Sequence, residues 1–304
     1  MEPNKNILYI GRGGYVDEAL ISAFAEVCAR KNWTLRTEPT VGEKTQALPV
    51  PEDLFKEADL VVLGRTRKDK NGIAWPNTPG IDKYAEKVVA LDTSDGPQRK
   101  VVHDCAYYLK REHTGNKWQR RLGAIPFSMC PPRDVVAMHP LPWEQRGIDV
   151  FVAVSTKLNE TRKKIVRDIR HASGFSAFVH EYDSKGGAIP RSAYLDLLRR
   201  SKIAISPRGS GQDTNTYWEV PACGVVLLAE RRTITITDNF EEGEEAIFFE
   251  TPNEMLEQCA VALQDKGRLR EMALAGRAKV LKYHTAEKRV QTLLEIAKPI
   301  LDRS

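Results

Sequence analysis

The chain of 304 residues lacks any long apolar run. No stretch approaches the roughly 20 apolar residues that a helix needs to cross a bilayer. The first residues, MEPNKNILYIGRGG, enter a short apolar segment directly, without the apolar core of a secretory signal peptide. From these two absences we expect a cytoplasmic protein that does not span a membrane.

The chain is also poor in residues arranged for metal binding. Its five cysteines are scattered and form no CxxC pair, and its six histidines show no metal-ligand spacing. We therefore expect neither a metal site nor a disulfide framework. What remains is an ordinary globular composition, 41% hydrophobic and 29% charged. The net charge of +5 favours an anionic ligand and permits nucleic acid without requiring it.

One segment, Lys202 to Glu230, carries the clearest pattern, KIAISPRGSGQDTNTYWEVPACGVVLLAE. Two short apolar runs predict buried strands, and a glycine-rich turn and a short helix lie between them. Asp213 or Thr214 can cap that helix. Its unpaired N–H groups would then point at the glycine turn, an arrangement that attracts anions and phosphate above all.

The polar residues of this segment indicate a phosphate-bearing ligand. Arg208 offers a planar fork of donors that matches diphosphate oxygens. Glu219 lies in an otherwise uncharged run, where its carboxylate needs donors such as a ribose diol. A salt bridge between Arg208 and Glu219 is an equally open alternative. Tyr182, after another predicted strand, could stack on a nucleobase or be a surface aromatic. The remaining candidates for the same site are Gly209, Ser210, Gly211, Thr216 and Tyr217.

The segment SPRGSGQDTNTYWEVPACGVVLLAE resembles the donor-binding region of group 1 glycosyltransferases, especially their CgeB-like branch and more loosely exostosin-type enzymes. The charged loop, strand and two closing helices expected after it also resemble that family. The resemblance implies a nucleoside-diphosphate sugar, linked to UDP or GDP, as substrate. It also implies that no cofactor is tightly bound and that no metal is needed.

The first half of the chain predicts a parallel sheet, because short apolar runs alternate with helical patterns. The run NILYI is followed by GRGG, in which Gly13 and Gly14 could approach a ligand or form a plain tight turn. The glycine spacing is not the complete dinucleotide fingerprint.

A second candidate site follows the run KVVAL. Asp92 and Asp95 could hold an acceptor hydroxyl, act as a base or bind a metal, since ligands of open α/β sheets bind beyond the carboxyl ends of strands. An Asx-turn is the alternative. The sequences DTSDG and YYLKRE resemble the N-terminal domain of CgeB-like enzymes. That resemblance implies that three further residues contact the acceptor or a phosphate: Lys110, Arg111 and Glu112. The alternative is that they form a solvated run of charges.

The proline-dense stretch from Pro126 to Pro142 predicts the approach to a domain boundary with little regular structure. Two Rossmann-like halves joined near residue 145 would form an α/β fold of the GT-B type, with two domains facing across a cleft. Residues 1–145 would bind the acceptor and residues 146–285 the donor. The resemblance implies that a final helix, residues 286–304, crosses back to the first domain.

The expected function is a glycosyltransferase, transferring a hexose or pentose to an acceptor hydroxyl. The acceptor stays open among small molecules, proteins, glycans and modified DNA, as does the oligomeric state. A Rossmann-type NAD-dependent oxidoreductase is one alternative, weakened by the incomplete glycine motif. A non-catalytic nucleotide-sugar-binding protein is the other.

Overall fold

The structure, a computed structural model, describes residues 3–11, 15–39, 49–64, 75–96, 103–121, 123–157, 159–182 and 187–304. The chain forms two compact units. The first comprises Met1–Cys130, Ile234–Thr237 and Ala286–Ser304, and the second comprises Pro131–Thr233 and Asp238–Thr285. Residues 131–145, which the sequence placed in the first domain, therefore lie with the second unit, and the final segment packs within the first.

Each unit is built on one parallel sheet. The first sheet has the order β2-β1-β3-β4-β5-β6 and the second the order β11-β10-β9-β7-β8. The strands of the first are β1 Asn6–Gly11, β2 Thr34–Pro39, β3 Leu60–Gly64, β4 Val88–Asp92, β5 Tyr107–Lys110 and β6 Ala124–Pro126. Those of the second are β7 Ile148–Ser155, β8 Ala177–Tyr182, β9 Ser201–Ser206, β10 Val226–Glu230 and β11 Ile247–Phe249.

Helices connect the strands, and their bounds in chain order are α1 Tyr15–Lys31, α2 Glu52–Glu57, α3 Lys117–Arg121, α4 Arg133–Ala137, α5 Glu160–His171, α6 Arg191–Arg199, α7 Asn215–Ala222, α8 Pro252–Ala262, α9 Lys266–Lys279, α10 Ala286–Ile296 and α11 Lys298–Leu301. Two 3₁₀ segments, Ile81–Lys87 and Trp143–Gln145, and a π-helical turn, Val280–His284, complete the described elements. Among the described residues, none of the helices combines the length and apolarity that a membrane crossing requires.

The first sheet is covered on both faces, which explains why its strands read as continuous apolar runs. In β1, Tyr9 belongs to the same core cluster as Phe24 of α1 and Leu293 of α10. Ile10, the next residue, belongs to a second cluster with Phe55 of α2. Successive side chains of a strand point to opposite faces. Both must be apolar when helices cover both sides, and each such burial contributes about 1.5–3 kcal/mol.

The second sheet follows the same rule. Val152 of β7 shares a core cluster with Ile165 of α5 and Met255 of α8. On the opposite side of β7, the ring of Phe151 lies 5.6 Å from that of Tyr194 in α6. Both sheets are parallel throughout and flanked by helices, so the prediction of two Rossmann-like α/β domains is confirmed.

In each sheet the direction of strand succession reverses once. The reversal lies between β1 and β3 in the first sheet and between β7 and β9 in the second. Ligands of open α/β sheets bind beyond the carboxyl ends of the strands at such a point. The structure thereby directs attention to the residues that follow β7 and β9.

Three short elements differ from the sequence expectation. The residues YYLK, treated there as part of a charged site, form strand β5, and AIP forms β6. The proline-dense stretch, expected to be irregular, contains helix α4.

Candidate functional site

The glycine turn after β9 lies next to the start of α5. Asn159 caps α5 by accepting a hydrogen bond from the Arg162 N–H at 3.1 Å. The amide nitrogen of Asn159 in turn donates to the Arg208 carbonyl at 3.2 Å. The capping residue therefore does two things: it starts the helix and it fixes the turn.

Arg162 holds the same turn from the side. Its guanidinium donates to the carbonyls of Arg208 at 2.7 Å, Ser155 at 3.1 Å and Pro207 at 3.4 Å. These contacts join the ends of β7 and β9, the two strands at the reversal point. A side chain at Gly209 would place its Cβ 3.0 Å from the Arg162 guanidinium. Glycine at this position lets the arginine approach the turn closely.

Arg208 is fixed by Glu230, the last residue of β10. The Glu230 carboxylate accepts from the Arg208 backbone N–H at 2.8 Å and from its Nε at 2.6 Å. Glu230 is almost fully buried, whereas the Arg208 side chain is 41% exposed. The pair thus holds a guanidinium in one orientation while part of it stays accessible to a ligand.

Glu219 has a different partner. Its carboxylate is 3% exposed and accepts from Arg191 of α6 at 2.8 Å. Burial and the nearby Glu219 charge raise the pKa of the Tyr194 hydroxyl. The open alternative of a salt bridge between Arg208 and Glu219 is therefore wrong, because Arg208 pairs with Glu230 and Glu219 with Arg191. A ribose could reach Glu219 only if side chains around it moved.

Helix α7 begins at Asn215, with Thr214 as its N-cap. Thr214 makes no side-chain capping bond. The other expected cap, Asp213, instead accepts from the indole nitrogen of Trp218 at 2.6 Å. This bond anchors the first turn of the helix to the aromatic core beneath it.

The remaining donor-site candidates divide by accessibility. Ser210 is exposed and Thr216 partly exposed, whereas Gly211 is buried. The Gly209 N–H donates to the Gly211 carbonyl at 2.8 Å, so this amide is used within the turn.

The aromatic candidates also differ from each other. Tyr217 is fully buried, and its hydroxyl donates to Asn239 at 2.6 Å. The structure thus places the Tyr217 side chain in the core, which corrects its assignment to the ligand surface. Tyr182 ends β8 with its ring 5.9 Å from that of His180 and remains partly exposed. Gly13 and Gly14 lie outside the described residues.

In the first unit, Asp92 ends β4 with its side chain fully buried. One carboxylate oxygen accepts from the backbone N–H of Ser94 at 3.0 Å, and the other from the Tyr108 hydroxyl at 2.6 Å. The ammonium of Lys110, also fully buried, lies 3.4 Å away. The bond to Ser94, two residues on, is the Asx-turn of the alternative interpretation. Asp92 and Lys110 thus form a buried ion pair, an environment that solvent does not reach.

Asp95 is more accessible, because its side chain is 48% exposed and pairs with Arg111. Glu112 is buried, accepts from the Gly96 N–H at 2.6 Å and lies 3.7 Å from the Arg111 guanidinium. Arg111 also lines a small pocket with Thr93 and Ser128. Of the two predicted catalytic aspartates, Asp95 is the one that an acceptor could approach without rearrangement of the core.

Several contributors to these arrangements were missed in the sequence. All of them are charged or amide side chains: Asn159, Arg162, Arg191, Glu230 and Arg232. Within the described residues, no cluster of three histidine, cysteine, aspartate or glutamate side chains could hold a metal ion.

Comparisons with known proteins agree with this geometry. Residues 157–295, which include α5, the glycine turn and α7, match a family model described as glycosyl transferase-like. No curated protein sequence matches the chain. The CgeB-like or exostosin-like branch therefore stays a prediction.

Solved structures resemble nearly the whole chain. HepE from Anabaena, solved in complex with UDP, has a TM-score of 0.56 at 10% identity and covers 97% of this chain and 100% of its own. Sucrose-phosphate synthase from Thermosynechococcus elongatus has a TM-score of 0.61 at 13% identity, covering 99% and 100%. A glycosyltransferase from Rickettsia africae has a TM-score of 0.59 at 10% identity, with the same coverage. At such identities the likeness shows the fold, and it supports the GT-B type.

Proposed function

We propose that this protein is a glycosyltransferase that moves a sugar from a nucleoside-diphosphate sugar to an acceptor hydroxyl. The observation that carries the proposal is Arg208, a partly exposed guanidinium fixed at the strand-reversal point of the second sheet. The family match over residues 157–295 covers this region. The structural neighbour HepE has been solved with UDP and also with UDP and glucose.

In this proposal Arg208 neutralises the diphosphate as it leaves. Departure of a nucleoside diphosphate places negative charge on phosphate oxygens, and a donor that is already oriented stabilises that charge without reorganisation. Glu230, Asn159 and Arg162 supply the orientation by holding the side chain and the carbonyls of the turn. Exposed Ser210 and the first turn of α7 complete the proposed phosphate site.

The other residues have proposed roles in binding the ribose, the base and the acceptor. Glu219 would bind the ribose after displacement of Arg191, and Tyr182 would contact the base from the end of β8. Asp95 would orient or deprotonate the acceptor hydroxyl, with Arg111, Lys110 and Glu112 shaping its surroundings. Whether the sugar is a hexose or a pentose, and whether the nucleotide is UDP or GDP, are questions for the experiment below. We keep a cytoplasmic location and independence of a metal ion as part of the proposal.

A thermal-shift panel of nucleoside diphosphates, nucleotide sugars and NAD(H) tests this function. A ligand that binds only the folded state stabilises it by about 2.7 kcal/mol at 100 times its Kd. We expect stabilisation by UDP or GDP and their sugars, and slow release of the diphosphate from the donor that binds.

The matched variants are Arg208→Gln and Arg200→Gln, both replacing arginines of the second unit that pair with a carboxylate. Only Arg208→Gln should weaken the binding of nucleoside diphosphates. Stabilisation by NAD(H) alone would favour the oxidoreductase alternative. Donor binding without any hydrolysis or transfer would favour the alternative of a non-catalytic binding protein and would contradict the proposed enzyme activity.

A further inference from the structure

Arg232, two residues beyond the end of β10, reaches back to the turn that follows β9. Its Nη2 donates to the Ser206 carbonyl at 3.1 Å and to the Ser206 hydroxyl at 3.3 Å. It also lies 3.4 Å from the hydroxyl of Thr214, the N-cap of α7. The guanidinium lies 5.2 Å from the centre of the Tyr217 ring, which forms a floor beneath it. Arg232 therefore lies at the junction of the glycine turn and α7.

The other nitrogens of this guanidinium are not satisfied. Within the described part of the chain, both Nε and Nη1 are buried without a hydrogen-bond partner. Burial lowers the pKa of Arg232 to about 10, so the side chain still carries its charge at neutral pH. Buried donors of a cation are almost always paired, because leaving them unpaired opposes folding.

Other arginines leave less unpaired. Arg111 and Arg199 each have one buried Nε without a partner, whereas Arg232 has two such nitrogens. The carboxylates of Glu230 and Asp213 favour the charged form of Arg232 and so oppose the effect of burial on its pKa. Glu230 already binds Arg208, and Asp213 accepts from Trp218.

We propose that Arg232 is a second diphosphate-binding cation, which contacts the donor's phosphates through these two nitrogens beside Arg208. This inference rests on the proposed function and names a residue of the same site. Because Glu230 already binds Arg208 and Asp213 accepts from Trp218, the two remaining nitrogens of Arg232 can donate to phosphate oxygens. Because Thr214 is the N-cap of α7, phosphate oxygens held by Arg232 would also lie near the first N–H groups of that helix.

Gln212, in the glycine turn, and Thr233, next to Arg232, are joined by two hydrogen bonds. The Gln212 amide donates to the Thr233 hydroxyl at 2.9 Å, and the Thr233 N–H donates to the Gln212 amide oxygen at 2.7 Å. These bonds tie the glycine turn to the residue next to Arg232.

The test compares ligands that differ only in phosphate. Binding of UDP, GDP and their parent nucleosides to the purified full chain is measured by calorimetry for the wild type, Arg232→Gln and Arg232→Lys. The control is Arg231→Gln, which removes the neighbouring exposed arginine that pairs with Glu242 at 2.8 Å. We expect Arg232→Gln to weaken the diphosphate about ten- to a hundredfold while leaving the parent nucleoside within about twofold, since bonds to charged groups are strong.

Arg232→Lys keeps the charge but not the fork, and we expect a smaller loss that is again confined to the diphosphate. If Arg232→Gln does not fold, the comparison of Arg232→Lys with the wild type provides the test. Equal weakening of nucleoside and diphosphate would overturn the proposal in favour of a structural role. So would unchanged diphosphate affinity, or an equal effect of Arg231→Gln. If the wild type binds no nucleotide at all, the proposed function itself fails.

Discussion

Replacement of Arg162 by alanine tests whether a partly buried guanidinium holds the candidate phosphate site together. Arg162 donates to three carbonyls, those of Ser155, Pro207 and Arg208, at 2.7–3.4 Å. A hydrogen bond to a charged group contributes about 1.5–3 kcal/mol when measured alone, and contributions within one network do not add. Water can also enter and satisfy part of the exposed carbonyls. We therefore expect a loss of about 3 kcal/mol in the free energy of unfolding of the second unit.

The matched control is Arg167→Ala in the same helix. Arg167 is exposed and pairs with its neighbour Asp168 at 3.0 Å. An exposed pair of this kind contributes about 0–1 kcal/mol. Both variants remove one arginine from α5, so they change net charge and helix propensity equally. Their difference isolates the bonds to the carbonyls.

Urea unfolding followed by circular dichroism measures the difference, with separate transitions fitted separately if the two units unfold independently. The same preparations are tested for diphosphate binding, which should weaken in Arg162→Ala because the turn carrying Arg208 loses its support. Equal stability of the two variants would refute the reasoning. Lower stability with unaltered diphosphate binding would refute only the link between the framework and the ligand.

Three further predictions concern the core of each unit. Asp92→Asn leaves the buried Lys110 ammonium without its charge partner and should lower the free energy of unfolding by about 3–5 kcal/mol. Asp95→Asn should lower it by less than about 1 kcal/mol and should abolish sugar transfer. Similar unfolding midpoints of the two variants, or full turnover by Asp95→Asn, would contradict this. Gly276→Ala should be severely destabilising, because its Cβ would lie 2.6 Å from the Glu245 carbonyl, but Gly267→Ala in the same helix should raise the unfolding midpoint. Burial raises the pKa of three buried thiols above the unfolded value of 9.0, so they should resist a thiol reagent at pH 8 until the protein unfolds. These thiols are those of Cys28, Cys223 and Cys259. The stability that they contribute is complete below pH 9 and declines as the pH rises toward 11–12. Rapid labelling of the native protein would contradict their burial.

The fold was largely predictable because both faces of each sheet are covered. A strand of this kind has no polar face, so the apolar run itself marks the strand, as in Leu60–Gly64 and Val226–Glu230. Strand β5 was not predicted because it ends in a lysine, which is buried beside Asp92 and donates to the Ser94 carbonyl at 2.8 Å. Sequence patterns report local periodicity, whereas a buried ion pair depends on which strands become neighbours.

The pairing of charges within the site was beyond the sequence for the same reason. Arg208 is closer in sequence to Glu219 than to Glu230, yet it binds Glu230. Strands β9 and β10 are parallel neighbours, so the residues that follow β9 meet the last residue of β10. Glu219 lies on α7 and meets Arg191 of α6 instead. Once the strand order is known, the first of these pairs follows directly, which shows where the missing information lay.

The arginines of the second unit also differ in the groups that accept their hydrogen bonds. Arg146 and Arg277 donate to backbone carbonyls, as does Arg162, and such bonds fasten loops and helix ends. Arg208 donates to a carboxylate while part of its fork remains exposed. Arg232 keeps two buried nitrogens without an acceptor in the described part of the chain. A guanidinium whose donors are satisfied by carbonyls has none left for a ligand, so net charge alone does not locate an anion site. Unsatisfied or exposed donors locate it. The exposed donors of Arg208 and the unsatisfied donors of Arg232 both lie beside the turn between β9 and α7.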